Sequence, residues 1–526
     1  MLVLLTFILL VLSILVVVAL RLIRRGSLHT WLITVGVLLT WGSVLLWQFN
    51  LPWRLMPVKW MPAAPVAIAP LLFADSMAWY YALSLIALTA AIILTSAARS
   101  GHTGTSSWPE MLALGGLAVL SVLVDSPFGL ALVWMLIDLA QFMIAVRRNT
   151  FSGEQVRFSF GIQLIATALI LWAGVVGASS STGQTFSIET APSQAGIFLL
   201  LAAILRISTL PFRLVDPSVE NVERRGFDTI LWMASAVASL ALFARVPIHE
   251  FDPRWLLVLL LLSALAALVS GWKWLFAPDE LQGRASWLIG LSALSLVACL
   301  SGNPAGSVAW GVCMILFGGI LFLYSVRQIW LTRIFVLASL FMLSLPFTLT
   351  ASAWFGNLPL PFLLWPIFVL AHAMFAAGYL RHLFHPSEVE FAQLPNWSQA
   401  TYVLGMGLLL LTILLGSIWG WAGALKMGVW TTGVAVLLFS GIVFFASFYL
   451  PRIALLKPLI ASGPPSINSK PSRLAVIFSL LARVFSFFYQ LIGSLSIYLS
   501  DLLEGDGGLL WTLLLLILLI SFIRGN

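Results

Sequence analysis

The feature that most constrains this chain is the length of its apolar runs, illustrated by residues 285–326, which contain no Asp, Glu, Lys, Arg or His apart from Arg284 at their edge. About 20 such residues wound as a helix cross the roughly 30 Å hydrocarbon core of a bilayer. Runs bounded by charge, Gly and Pro predict spans near 2–20, 29–48, 76–97, 109–124, 127–146, 158–178, 195–212, 229–247, 254–276, 285–301, 305–325, 332–353, 360–380, 400–422, 428–450 and 508–524. With 61% of 526 residues hydrophobic and 9% charged, these helices absorb most of the apolar residues and leave no folded extramembrane domain to expect. The predicted class is an all-α polytopic membrane protein of about 14–16 transmembrane helices.

The net charge of +8 does not mark a nucleic-acid surface, because the cations flank the spans instead of forming a patch. They read as topology signals, since basic residues are retained on the cytoplasmic side. With the N-terminus outside, 19 Lys and Arg fall in the cytoplasmic connections of the first fifteen spans and the region after them, against 5 outside: Arg54, Lys59, Arg245, Arg254 and Lys426. Residues 2–20 lack a basic leader and a small-residue cleavage site, and Arg21, Arg24 and Arg25 follow them, so an uncleaved anchor is expected. The expected location is the plasma membrane of a bacterium or an equivalent energy-coupling membrane. Cys299 and Cys313, the two cysteines, both lie in apolar runs without ligand spacing. No cofactor, metal site, nucleophile or nucleotide loop is expected on this chain, and it would be a translocase only as part of a larger assembly.

Proline-interrupted helices at matching places in two halves of a chain point to the working region of a transporter. Leu210-Pro211-Phe212-Arg213-Leu214 and Leu345-Pro346-Phe347-Thr348-Leu349 share the pattern L-P-F-x-L, 135 residues apart, in predicted helices seven and twelve. Five helices is an odd separation, so the two run in opposite directions, as two inverted five-helix repeats require. The expected organisation is residues 1–105 for helices one to three, 106–250 for the first repeat, 251–385 for the second, 386–455 for further spans, and 456–526 for a Pro/Ser-rich linker, an amphipathic lateral helix and a last span. Whether 472–505 spans or lies along the membrane stays open.

Phe73-Ala74-Asp75-Ser76, Trp134 to Ile144 (WMLIDLAQFMI), and Arg206 to Pro217 followed by Ala236 to Arg245 resemble the proton-conducting antiporter-like subunits of respiratory complex I, membrane-bound hydrogenases and multisubunit cation/proton antiporters. The likeness covers roughly residues 70–420. It implies a midplane row of ionisable residues, namely a fifth-helix Glu, a Lys beside broken helix seven, and later Lys, His or Glu. This chain departs from that row at nearly every position. Met135 stands at the Glu position with Asp138 three residues on and so expected on nearly the same helix face, Arg206 at the Lys position, and Phe341 at the register equivalent of Arg206 in helix twelve. The second half looks electrically empty.

Guanidinium effectively never loses its proton, so Arg206 cannot relay one as a tuned Lys can. An acid and a base inside an apolar helix are functional candidates by default. Asp138 and Arg206 are therefore the leading site residues, as a proton-path or gating pair, with a permanent ion pair between helices five and seven or no contact at all as the other readings. His372, inside an apolar helix, and Asp228 are further candidates. His382 and His385 beside Glu388 read as solvated interfacial residues, and Asp216, Glu220, Glu223, Arg224, Arg225 and Asp228 as a self-paired cytoplasmic loop or a docking surface. Trp53 and Trp60 fit an interfacial aromatic belt.

Three functional readings follow. The first is a membrane-arm subunit of a complex I-like (NADH:quinone oxidoreductase-type) or antiporter-like complex, contributing to proton or cation translocation coupled to electron transport, with the channel reduced. The second is a stand-alone secondary transporter of a small or lipidic substrate, and the third a non-conducting structural subunit. The expected partners are other integral membrane subunits, the lipid bilayer, and protons or monovalent cations.

Overall fold

A computed structural model describes residues 2–23, 26–55, 72–96, 108–148, 153–180, 187–208, 225–248, 251–326, 328–354, 363–385, 390–418 and 430–449. Fifteen α-helices occupy them: α1 (Leu2–Ile23), α2 (Gly26–Leu45), α3 (Ser76–Ser96), α4 (Trp108–Leu123), α5 (Pro127–Arg148), α6 (Gly153–Ser180), α7 (Ser193–Ser208), α8 (Phe227–Arg245), α9 (Pro253–Leu275), α10 (Glu280–Leu300), α11 (Pro304–Leu323), α12 (Ile329–Ala338), α13 (Trp365–Leu383), α14 (Asn396–Ile418) and α15 (Trp430–Tyr449). Each of the first fifteen predicted spans has its helix. The linker, the lateral segment 472–505 and the span at 508–524 lie outside the described residues, as do Trp60 and Leu210-Pro211-Phe212.

Among the described residues, ten helices are long and apolar enough to cross a membrane, and the chain is an integral membrane protein. Its core is helix against helix. α8 and α11 are buried along their whole length and α3 almost so, and these three pack on one another at the centre. Around them α1 pairs with α2, α5 and α6 lead to α7, and α9, α10, α13 and α15 close the other side. The outer helices turn apolar side chains outward, such as Ile8 and Leu15 on α1, Trp255 and Leu262 on α9, and Ile442 and Phe445 on α15. In a bilayer that surface is satisfied by hydrocarbon, so outward Leu and Ile cost nothing there.

Three local results refine the sequence reading. The loop after α2 forms a small antiparallel pair, β1 (Trp53–Leu55) with β2 (Leu72–Ala74), in the register Arg54↔Phe73, and the Arg54 guanidinium sits 4.4 Å from the centre of the Phe73 ring. Helix α10 starts at Glu280, five residues earlier than expected, because the Asp279 side chain caps it by accepting from Gln282 N at 2.6 Å, and because Glu280 and Arg284 are paired rather than solvated. Predicted helix twelve is not continuous. Its α-helix ends at Ala338, a tighter turn covers Ser339–Met342, Ser344 and Phe347 take positive φ of 55° and 61°, and a second short turn forms at Ala351–Trp354. Pro346 accounts for the break: it has no N–H to donate, its ring clashes with the preceding turn, and it disfavours helical geometry at Leu345.

Candidate functional site

On α5 the residues Trp134, Asp138 and Gln141 follow one another at four- and three-residue steps and share the inward face. Met135, at the register of the family Glu, is 49% exposed on the outer surface, whereas Asp138 is 2% exposed. The two were expected to share a face. A three-residue step leaves about 60° between them, and at the edge of this helix that carries one outward and the other into the core.

Asp138 meets Arg206 of α7. The guanidinium donates through Nη1 to Oδ2 at 2.9 Å and through Nη2 to Oδ1, a bidentate pair with Arg206 fully buried. Its Cζ also lies 4.6 Å from the centre of the Trp134 ring. A planar fork matches the two carboxylate oxygens, and an aromatic face welcomes a weakly hydrated cation, which is how so expensive a charge is held in a dry place. Below the pair, Gln163 on α6 donates to Gln141 Oε1 at 3.3 Å, and Gln141 donates to the Leu231 carbonyl on α8 at 3.3 Å. These two glutamines extend the polar face of α5 to its neighbours and were not anticipated, because a Gln in an apolar run carries no charge to draw notice.

Asp228 lies elsewhere, at the start of α8, 3.7 Å from Arg284 of α10. Beside it Arg225 binds Glu280 at 2.7 Å and the Phe322 carbonyl at 2.9 Å. Of the segment read as a self-paired loop or a docking surface, Arg225 and Asp228 pair across to α10, and residues 216–224 lie outside the described structure. At the opposite end of α8, Arg245 reaches Asp75 at 3.5 Å and the Val124 carbonyl at 3.0 Å, while Ser187 donates to Asp125 Oδ2 at 2.7 Å. Burial raises the Asp125 carboxyl above the usual range, against the pull of Ser187 and Arg245.

Among the described residues, the buried charges of the second half, Glu280 and Arg284, pair with residues of the first half. His372 of α13 is fully buried, with Nε2 2.8 Å from the carbonyl of Met342, where α12 breaks off. Its ring meets Trp310 edge-on at 4.7 Å and stacks on Trp354 at 6.1 Å. Trp354 in turn donates to Ser344 Oγ at 3.2 Å, and the Thr350 hydroxyl accepts from Ser344 N at 2.9 Å, so side chains replace the hydrogen bonds the helix loses. Phe341 is partly buried against the core, and its carbonyl accepts from the Thr350 hydroxyl at 3.3 Å. His382, expected in solvent, is instead buried, with Nε2 3.0 Å from the Trp274 carbonyl. Helix α13 runs to Leu383, later than expected, and draws it inside.

Among the described residues no group of three or more His, Cys, Asp or Glu is placed to hold a metal, and Cys299 and Cys313 are buried free thiols.

No family profile and no curated protein matches the sequence. Solved structures do. A chain of the Mrp complex from Dietzia sp. DQ12-45-1b is 16% identical with a TM-score of 0.63, covering 98% of this chain, which spans 62% of that longer one. A chain of the membrane-bound sulfane sulfur reductase, an archaeal respiratory membrane complex, is 15% identical with a TM-score of 0.60, covering 97% of this chain and 99% of its own. The chain therefore shares the fold of these two chains, an all-α bundle of membrane-spanning helices. That likeness agrees with the antiporter-like resemblance read from the sequence.

Proposed function

We propose that this chain is a membrane-arm subunit of a multisubunit energy-coupling complex and takes part in moving protons or monovalent cations, driven by electron transport elsewhere in the assembly. The observation that carries this reading is the bidentate Asp138–Arg206 pair joining α5 to α7, a charge pair held in the bilayer interior beside the helix that leads to the first Leu-Pro-Phe segment. In support, a structural neighbour that this chain matches over nearly its whole length comes from a respiratory membrane complex. The two Leu-Pro-Phe segments would sit at equivalent points of inverted repeats spanning 106–250 and 251–385.

The chemistry differs from a row of titrating lysines. Arg206 keeps its proton, so only Asp138 can change charge, and it must release Arg206 to do so. A proton reaching Asp138 neutralises the carboxylate and frees the guanidinium to move, which makes the pair a gate. The test is proton flux in vesicles holding the purified assembly, wild type against Asp138→Asn and Arg206→Lys, with copurifying subunits identified. Loss of flux in Asp138→Asn with the assembly intact is the expected result. Unchanged flux with a full set of partners would make the pair a permanent strut in a scaffold subunit, and purification without partners would favour a stand-alone transporter.

A further inference from the structure

The buried arginines of the described structure, Arg206, Arg225, Arg245 and Arg284, each meet a carboxylate. Arg381, half-buried near the end of α13, meets none among the described residues. Its guanidinium donates through Nη1 to the Leu275 carbonyl, which ends α9, and its Cζ stands 5.9 Å from the centre of the Phe276 ring. That cap uses one of several N–H donors. The last carbonyls of α9 favour a cation here, but they carry only about half a charge and leave the rest unanswered. Lys273, exposed on α9, likewise has no carboxylate among the described residues. The two acids that follow α9 are engaged elsewhere: Asp279 accepts from Gln282 N at 2.6 Å and Nε2 at 2.9 Å, and Glu280 binds Arg225 at 2.7 Å.

Below Arg381 lies an apolar cluster that stands apart from the main core. Leu275, Met374 and Ala377 are buried at its floor, with Leu268 and Trp272 of α9 on one side and Val443 and Phe444 of α15 on the other, these four only partly buried. Helix α13 packs on both α9 and α15, so its face between them is the bottom of a furrow. Leu370, Met374, Ala377 and Arg381 follow one another at steps of four, three and four and form one stripe along it. From Leu370 to Arg381 the stripe rises about 16 Å, the depth of one leaflet in a roughly 30 Å hydrocarbon core. The Trp272 and Phe276 rings, 4.6 Å apart between centroids, mark its charged end, which the basic-residue count assigns to the cytoplasm.

We propose that this furrow binds an anionic phospholipid, with the phosphate at Arg381 and Lys273 and an acyl chain laid along the α13 stripe between α9 and α15. Guanidinium is planar and weakly hydrated, so it can keep its carbonyl cap and still offer N–H groups to phosphate oxygens, while Lys273 adds a point charge. A basic pocket between helices at the cytoplasmic face is the setting in which anionic head groups are held. Soluble phosphate would answer the charge but leave the apolar furrow unfilled, and a zwitterionic lipid would bring a cation of its own to a place that already has two. The site is separate from the Asp138–Arg206 pair and does not depend on ion translocation.

The experiment places the purified assembly in phosphatidylcholine nanodiscs containing a trace of phosphatidylglycerol with a photoreactive group in its acyl chain, and maps the labelled peptides by mass spectrometry. Labelling of α9, α13 and α15 along the furrow is expected, displaced by an excess of unlabelled phosphatidylglycerol and not by phosphatidylcholine or inorganic phosphate. The phosphatidylglycerol needed for half displacement should rise about fivefold in Lys273→Gln, and about fivefold again when Arg381→Gln is added. Gln at position 381 keeps a donor for the Leu275 carbonyl; if that variant does not assemble, Lys273→Gln alone decides, because its side chain is exposed. Val443→Trp, which fills the furrow and leaves both cations in place, should suppress the labelling. Equal displacement by phosphatidylcholine would overturn the choice of an anionic lipid, and displacement by inorganic phosphate would make this a site for a free anion. An unlabelled furrow in the intact assembly, as expected if another subunit covers it, or an unchanged half displacement in Lys273→Gln, would overturn the lipid site.

Discussion

Helices four to eight and helices nine to thirteen solve the same packing problem with different chemistry. The first half holds a full positive and a full negative charge in the core, Arg206 and Asp138, matched oxygen to nitrogen and backed by Trp134. Helices nine to thirteen hold instead, at the break in α12, an imidazole between two indoles and a helix that stops at Ala338 and is sealed by Ser344, Thr350 and Trp354. A buried charge demands one specific partner, whereas a neutral group accepts a single carbonyl and leaves the rest to packing. The first half therefore depends on one matched charge pair, and the second on packing around a fixed break.

The sharpest test removes one partner on each side. Arg206→Ala leaves Asp138 buried alone and should cost about 3–5 kcal/mol in unfolding of the purified assembly, whereas the double change Asp138→Leu with Arg206→Met should come out near neutral. His372→Phe orphans only the neutral Met342 carbonyl and should cost less, about 1–3 kcal/mol. Equal losses for the two single variants would erase the contrast between the halves.

Packing at the break gives the next effect. At Gly433 of α15 an added Cβ would stand 2.6 Å from the Ser344 carbonyl oxygen, so the helix touches the broken segment only because that residue has no side chain. Gly433→Ala should cost about 1–3 kcal/mol, measured by thermal unfolding, and should disturb the second half while leaving Asp138-dependent flux in place.

A pH scan probes the Asp125 end of the first half. Burial lifts the Asp125 carboxyl, with Asp75 adding to the rise and Ser187 and Arg245 opposing it. The folded state then holds a proton that the unfolded chain gives up near pH 4, so this group's contribution to stability falls as pH rises above about 4 and has fully fallen above the folded pKa. Asp125→Asn keeps an acceptor for the Ser187 hydroxyl and should flatten that fall. Glu189, raised in the same direction by burial and by Asp125, leaves a residual slope. The smallest effect is expected at Phe347, 53% exposed with φ at 61°. Phe347→Gly should stay within about 1 kcal/mol of wild type, while Phe347→Val, β-branched in a left-handed conformation, should fall about 1–2 kcal/mol below it.

Among the described residues, helix order was legible in the amino-acid sequence alone, since an apolar run of bilayer length has one way to satisfy its backbone in hydrocarbon, and each of the first fifteen such runs holds a helix. Asp138 and Arg206 were legible as candidates for the same reason: a charge in such a run must have a partner. The sequence left three readings of that pair, and the tertiary structure brings the two side chains together, because 68 positions of intervening chain decide their approach and local pattern does not. The expectation that His382 was solvated failed for a related reason, and Arg225, read as pairing within its own loop, reaches across to Glu280. Side chains at helix ends look alike in sequence whether water or a neighbouring helix receives them, and here Trp274 and Glu280, 108 and 55 residues away, make that choice. Hydropathy acts locally and so survives in the sequence, whereas pairing between distant helices depends on how they pack and exists only once the bundle has formed.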